Sequence, residues 1–307
     1  MALHDSSRSA GLSPRLSSLL IILAGCCWGT TGLFVRNLTA AGLSSQQISM
    51  MRTVFSFLIF LVIVLIKDPK LLRIQWRDIW CFLGTGVCSL TFFNVCYFTT
   101  INLTSLSTAA VLLYTEPAIL MLLSAPLFHE KLTGRKITAL LLTLCGCVFV
   151  TGVLTDAPAL TVGGILTGLG AGFGYALYSV FSRYAFNRGY DSLTINVYTF
   201  LFSTLSLLPF CRPGALFGMM ADGSMPWLVC FLQALASTVL PYLLYTIGLK
   251  AVDNGPASIM ASTEPVVATI LSVTVLQEPM TWMSALGVVL VIGAIVLLNV
   301  EKKPKKA

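Results

Sequence analysis

Charge is scarce in this sequence. Only 10% of its 307 residues are Asp, Glu, Lys or Arg, against about 25% in a soluble globular domain. Histidine is scarcer still: His4 lies in a polar N-terminal stretch and His129 at the end of an apolar run, so neither offers a buried general base. None of the nine cysteines belongs to a C-x-x-C pair, and no histidine lies beside them to complete a zinc site. That excludes a disulfide framework or metal centre as the organising feature and leaves packing as their role. No Gly-x4-Gly-Lys-[Ser/Thr] stretch occurs, so ATP hydrolysis within the chain has no basis. The expectation is a non-enzyme without cofactor or metal.

What remains is apolar. Hydrophobic residues make up 56% of the chain and the mean hydropathy is +0.88. Runs of membrane length recur at about 16–36, 46–66, 79–100, 105–128, 134–153, 162–183, 192–211, 226–248, 256–276 and 281–300. At about 20 residues per crossing these ten spans use most of the chain and leave no room for a soluble catalytic domain. They are expected to be helices, because backbone amides in hydrocarbon must bond within their own segment. Asn94 and Pro241 interrupt the third and eighth runs and make those the least regular. Leu23-Ala24-Gly25-Cys26 has the form of a lipoprotein cleavage box, but apolar sequence continues through Val35 and the segment is read as helix one.

The net charge of +7 is explained by position rather than by an acidic partner or nucleic acid. Arg15, Lys67, Arg73, Lys131, Arg135, Arg183, Arg188, Lys250 and the Lys302–Lys306 tail all fall on one side if the spans alternate. The positive-inside rule then places both termini in the cytoplasm.

The chain also contains itself twice. Tyr114-Thr115-Glu116-Pro117 is echoed by Ser262-Thr263-Glu264-Pro265 at an offset of 148, which also relates Tyr97 to Tyr245, Ser124 to Ser272 and Glu130 to Glu278. Gly25, Trp28, Phe34, Arg36 and Gly42 match Gly172, Tyr175, Phe181, Arg183 and Gly189 at an offset of 147. Each half has five spans. Because five is odd, the second half enters the membrane from the opposite side, and the expected fold is an all-α polytopic protein of two inverted five-helix repeats around a central cavity. Repeat one is expected over 16–154 and repeat two over 162–300, with a loop at 155–161 between them and tails at 1–15 and 301–307. Many secondary transporters are built this way, with the solute site between the halves.

Ten spans in two repeats, Trp28-Gly29 in the first helix, Arg52 early in the second, and Glu-Pro followed 14 residues later by Glu in the fourth and ninth resemble the EamA branch of the drug/metabolite transporter superfamily. The resemblance covers nearly the whole chain. It implies a transporter of small metabolites, often exporting amino acids, with a cavity lined by the first four helices of each half and the fifth and tenth in support. It also implies a bacterial inner membrane. Substrate identity does not carry over with the fold.

Glu116 and Glu264 are the principal candidates. Both lie many residues inside an apolar run, where bare charge is costly and acids normally face a cavity or a proton pathway. The alternative is structural: Pro117 and Pro265 each remove a helix hydrogen bond, so the glutamates could satisfy backbone groups freed at a kink. Arg52 has no charged counterpart, its match being Thr199. It either snorkels to the outer interface or turns inward to bind a carboxylate or neutralise a glutamate. Trp28, Tyr97, Tyr114, Tyr175, Tyr178, Tyr242 and Tyr245 form an aromatic set suited either to packing or to an amphiphilic or cationic solute. The glycines of Gly25-x3-Gly29 and Gly164 to Gly174 are read as close-packing faces.

The leading function is alternating-access transport of a small polar or amphiphilic metabolite, with lipid and solute as partners, protons as a candidate coupling ion and a monomer as a workable state. Proton-coupled movement of cationic or quaternary compounds is the alternative. A channel-like facilitator or a membrane protein without transport comes after that.

Overall fold

The computed structural model describes residues 13–154 and 161–300. Residues 1–12 of the expected N-terminal tail, most of the 155–161 connection and the basic C-terminal tail therefore lie outside the described residues, while Pro14 and Arg15, expected in the tail, begin the first helix.

Ten helices cross in alternation: α1 (Pro14–Ala40), α2 (Ser45–Lys67), α3 (Trp76–Leu103), α4 (Leu106–Phe128), α5 (Gly134–Val150), α6 (Val162–Asn187), α7 (Ser192–Phe210), α8 (Trp227–Leu249), α9 (Asn254–Thr274) and α10 (Trp282–Asn299). Among the described residues, nine have at least 18 residues of membrane-spanning character. The tenth, α5, has 17 residues and is still about 25 Å long at 1.5 Å per residue. Helix starts follow local chemistry. Ser44 and Gln47 form a reciprocal capping box before α2, and Ser13 caps α1 with Pro14 at its first position. The turns that close α1 and α6 use Gly42 at φ 95° and Gly189 at φ 84°. These are repeat-equivalent positions, and both take the left-handed conformation that glycine adopts without strain.

Besides α1, which is interrupted at Thr30, four spans are irregular, and their irregularities are repeated too. The fourth is split into Leu106–Leu113 and Glu116–Phe128, and the ninth into Asn254–Ala261 and Thr263–Thr274. The expected kinks are therefore breaks just ahead of each Glu-Pro pair. Proline suits the first turn of a restarted helix because the missing N–H has no partner there anyway. The third and eighth spans are continuous, but each contains a wide, π-type stretch, Gly84–Thr91 and Leu235–Val239. Asn94 and Pro241 lie just past these stretches rather than breaking the spans. Pro241 is tolerated because it is the second residue of the regular stretch Leu240–Leu249, where the preceding bonds are already displaced.

Glycines set the approach of helices. Gly25 of α1 lies against Thr263 and the Ala261 carbonyl at the α9 break; its equivalent Gly172 of α6 lies against Thr115 and the Leu112 carbonyl at the α4 break. The two breaks are thus each held by a glycine of the other half. Helices α5 and α10 pack on one another at Gly146 and Gly287, whose backbones are close enough that a Cβ added to either would meet the other's carbonyl within 3.0 Å. Ala294 and Ala139, which the 148 offset matches to Gly146 and Gly287 respectively, share a buried cluster. A pseudo-twofold axis passing between α5 and α10 accounts for both contacts. The cysteines follow the packing expectation in part: Cys81, Cys147, Cys211 and Cys230 are buried, whereas Cys88 and Cys145 are exposed.

Candidate functional site: a cavity open at one end

A cavity of about 660 Å³ lies between the halves, and its wall includes Trp28, Arg52, Asn94, Tyr97, Tyr242 and Glu264. It extends to the helix ends at Arg36, Thr39 and Leu106, where Arg36 and Leu106 are well exposed. Its floor is aromatic. The Trp28 ring meets Tyr242 at 5.3 Å, Tyr245 at 5.4 Å and Tyr175 at 6.3 Å, and Tyr178 lies edge-on to Tyr242 at 5.0 Å. Most contacts are tilted or edge-to-face, the arrangement favoured by ring quadrupoles.

Beneath this floor is a second, far smaller chamber with room for about 20 Å³ of guest volume, the size of one water. It is bounded by Glu116, Ser179, Tyr245 and Ser258, and shares Trp28, Tyr175 and Tyr242 with the cavity above. The two glutamates are thus on opposite sides of one aromatic layer. Glu264 accepts a long hydrogen bond of 3.5 Å from the Tyr175 hydroxyl, and Glu116 accepts one from Ser258. Each begins a half-helix, Glu116 as its first residue and Glu264 as its second. The positive end of the helix dipole offsets part of the cost of a carboxylate at either position.

Arg52 settles on the inward alternative. It lines the cavity together with Glu264 and Tyr242, and its Nη2 lies 3.4 Å from Asn94 Oδ1. Snorkelling is not needed because the cavity itself reaches solvent. Asn94 also accepts from Ser49 Oγ at 2.9 Å. Of the sequence candidates, Trp28, Arg52, Tyr97, Tyr175, Tyr242 and Glu264 meet in the large cavity, while Glu116, Tyr178 and Tyr245 surround the small chamber. Tyr114 is elsewhere, with Pro265 in a groove of about 320 Å³ that also includes Glu278 and Met280. Pro117 is buried at the α4 restart. Asn94 and Gln233 were missed as site residues. An isolated amide in an apolar run carries little signal, although Asn94 was visible as an interruption.

The opposite end is sealed. Arg183 donates through Nε to Asn254 Oδ1 at 3.1 Å and through Nη2 to the Val252 carbonyl. Asn254 donates its backbone N–H to Glu130 Oε1 at 2.7 Å and its amide to Ser124 Oγ at 3.1 Å. The Gly255 N–H reaches Glu130 Oε2 at 3.3 Å, so Glu130 of one half caps the start of α9 in the other. The repeat-equivalent pair, Arg36 and Glu278, is instead a loose ion pair of 3.6 Å with side chains 63% and 55% exposed. Pairs so exposed contribute about 0–1 kcal/mol. Arg36→Gln is expected to leave the unfolding midpoint in detergent within about 2 °C of the parent, as a mutational change under about 0.5 kcal/mol requires.

An inverted repeat around a largely apolar cavity with a few polar groups, open at one end and closed by matched residues at the other, defines a membrane transport fold. The chain belongs to the EamA-like transporter family, whose family model matches it twice, over residues 15–152 and 162–300. It is similar to a protein of Archaeoglobus fulgidus named "Uncharacterized transporter", 29% identical, over 93% of this chain and 95% of that one. It is also similar to "Uncharacterized transporter YetK" of Bacillus subtilis, 27% identical over 84% of this chain and 79% of the other. "Uncharacterized inner membrane transporter YicL" of Salmonella typhimurium is 24% identical over 95% and 97% of the two chains. A solved structure titled "Crystal structure of protein" shares the fold, with a TM-score of 0.76, 20% identity and coverage of 92% and 96%.

Proposed function

We propose that the protein is a secondary transporter that carries a small polar or amphiphilic metabolite across the membrane by alternating access. The single observation that supports this most is the unequal state of two equivalent ends: Arg183, Asn254 and Glu130 interlocked, Arg36 and Glu278 loose. A pore has no need of one sealed and one open copy of the same joint, whereas a carrier exchanges them. The moving units in this reading are the five-helix repeats 16–154 and 162–300. The membrane is a bacterial inner membrane with both termini cytoplasmic, which makes the Arg36 end the outer one and the described state outward-open.

Export of amino acids or related metabolites is the first substrate reading. A cavity whose inner part carries the Arg52 guanidinium and the Glu264 carboxylate beside aromatic faces, with Arg36 at its mouth, suits a zwitterion. The second reading, proton-coupled transport of cationic compounds, is favoured by the ring cluster of Trp28, Tyr175 and Tyr242 next to Glu264, since aromatic faces attract cations.

The test is counterflow in proteoliposomes loaded with amino acids and polyamines. The native protein is expected to show exchange accelerated by solute on the far side. Glu264→Gln is expected to lower that rate roughly tenfold or more and to flatten its dependence on pH. Glu116→Gln is expected to lower it while leaving equilibrium binding from the cavity side intact, because Glu116 is behind the aromatic floor. Exchange that is unaffected by both substitutions at every pH would reduce the Glu-Pro pairs to structural joints. Flux without counterflow would favour a channel.

A further inference from the structure

One polar group in the cavity wall lacks a role in the fold. Gln233, on α8 just before its wide stretch, is fully buried, yet neither its Oε1 nor its Nε2 has a hydrogen-bond partner. A buried amide left in this state costs about 1–3 kcal/mol for each unmet group. Arg52 Nε is unpartnered in the same way, and both residues line the large cavity.

The repeat explains why these two belong together. At the offsets of 147 and 148, Arg52 corresponds to Thr199 and Gln233 corresponds to Thr85. At the symmetry-related place between the halves those two threonines are joined directly, Thr199 Oγ1 donating to Thr85 Oγ1 at 2.6 Å. Thr85 passes its own proton to the Phe82 carbonyl. The chain thus has a small, self-satisfied polar pair on one side of its pseudo-twofold axis and a large, unsatisfied one on the other. Gln233 is as fully buried as the two threonines, but it and Arg52 are at the cavity wall.

We propose that Arg52 and Gln233 form the carboxylate-binding corner of the solute site. A carboxylate entering there accepts from Arg52 Nε and from Gln233 Nε2, and Gln233 Oε1 accepts from a hydroxyl or amine on the adjacent carbon. Asn94 accepts from Arg52 Nη2 at 3.4 Å, while Nε, which has no partner, is left for the guest. Planar, charge-assisted bonding of this kind is stronger and more selective than a neutral contact. Solutes with a carboxylate next to a donor are therefore preferred to their amides and to amines without a carboxylate. This inference rests on the reading of the cavity as the solute route, and its test separates the two.

Thermal unfolding of the full chain in detergent is measured alone and with matched probes: lactate against lactamide, phenylalanine against phenylalaninamide, and spermidine. At least one carboxylate is expected to raise the midpoint by several degrees at saturation, with its amide giving much less. Gln233→Leu, which replaces an unpaired buried amide with an apolar group, is expected to be at least as stable as the parent without solute and to lose the carboxylate shift. Gln233→Glu keeps the size, places a second carboxylate beside Arg52, and is expected to abolish carboxylate stabilisation as well. Equal shifts for acid and amide, no shift with any carboxylate, or an undiminished shift in either variant would overturn the corner. A lower midpoint for solute-free Gln233→Leu would do so too, since it would mean the amide is paired within the fold. If carboxylates bind yet counterflow is absent, the carrier reading falls and the corner stands. If spermidine exchanges while no carboxylate stabilises, the corner falls and the carrier stands.

Discussion

Gly25→Val is expected to yield little folded protein, and Gly172→Val to behave alike but less severely. A Cβ at Gly25 would lie 2.1 Å from Thr263 Oγ1 and 2.6 Å from the Ala261 carbonyl oxygen; at Gly172 the nearest atoms are Thr115 Oγ1 at 2.9 Å and the Leu112 oxygen at 3.1 Å. The second contact matters more than the first, because a hydroxyl can rotate while a backbone carbonyl moves only with its helix. Overpacking a filled interior costs about 1–3 kcal/mol, and here the strain falls on the break that positions Glu264. The measurement is the yield of monodisperse protein and its unfolding midpoint, with Gly32→Ala as control. No atom lies within 4 Å of a Cβ at Gly32, so that change is expected to be neutral or slightly stabilising through helix propensity. Normal yield and transport from Gly25→Val would mean that the α1–α9 contact is not what holds the break.

The same contact shows how far the sequence could be followed. Ten spans and an inverted repeat were readable because apolar length and a fixed offset are properties of the chain alone. The offset even paired Gly25 with Gly172. What it could not show was that each glycine meets the threonine before the other half's Glu-Pro pair, a contact between residues more than 50 positions apart along the chain. The prolines signalled a disturbance, yet only the folded backbone reveals a full break with each glutamate in the first turn of a new helix. Arg52 was left open between lipid interface and cavity because both lie within reach of a long side chain from that depth. Tyr114 was grouped with the other tyrosines on residue type alone, and the turn at the α4 break carries it to a different groove. Gln233 gave no signal by itself. It became visible only when its repeat partner, Thr85, was seen to be satisfied where Gln233 is not.

Arg183→Met is expected to turn the protein toward the state open at the Arg183 end. The substitution keeps a long apolar stem but leaves the Val252 carbonyl and Asn254 Oδ1 without their donor. Glu130 keeps its two backbone bonds to α9 and an ammonium, Lys136 Nζ, at 3.9 Å. Its guanidinium neighbour is lost. Leaving the Val252 and Asn254 acceptors without their donor costs about 1–3 kcal/mol each. That cost falls on the sealed conformation, because in the alternate one proposed above this joint is pulled apart and solvated. A shift of about 3 kcal/mol changes the ratio of the two states by more than a hundredfold, enough to invert a carrier that rests with this end closed. The reading is accessibility: a cysteine placed at Ser258, on α9 beyond the seal, should be slow to react with a water-soluble maleimide added from the Arg183 side in the parent. It should react much faster in Arg183→Met. Cys26, Cys27, Cys88, Cys96 and Cys145, not buried in the structure, are replaced beforehand so that labelling reports one site. The equivalent change at the other end, Arg36→Met, removes only an exposed pair and should leave labelling unchanged. If both variants label alike, the two ends are equivalent in solution and the asymmetry of the joints does not set the resting state. If only Arg183→Met opens, the seal is Arg183 with Asn254 and Glu130, and its counterpart Arg36 with Glu278 is the joint that must close when the halves exchange roles.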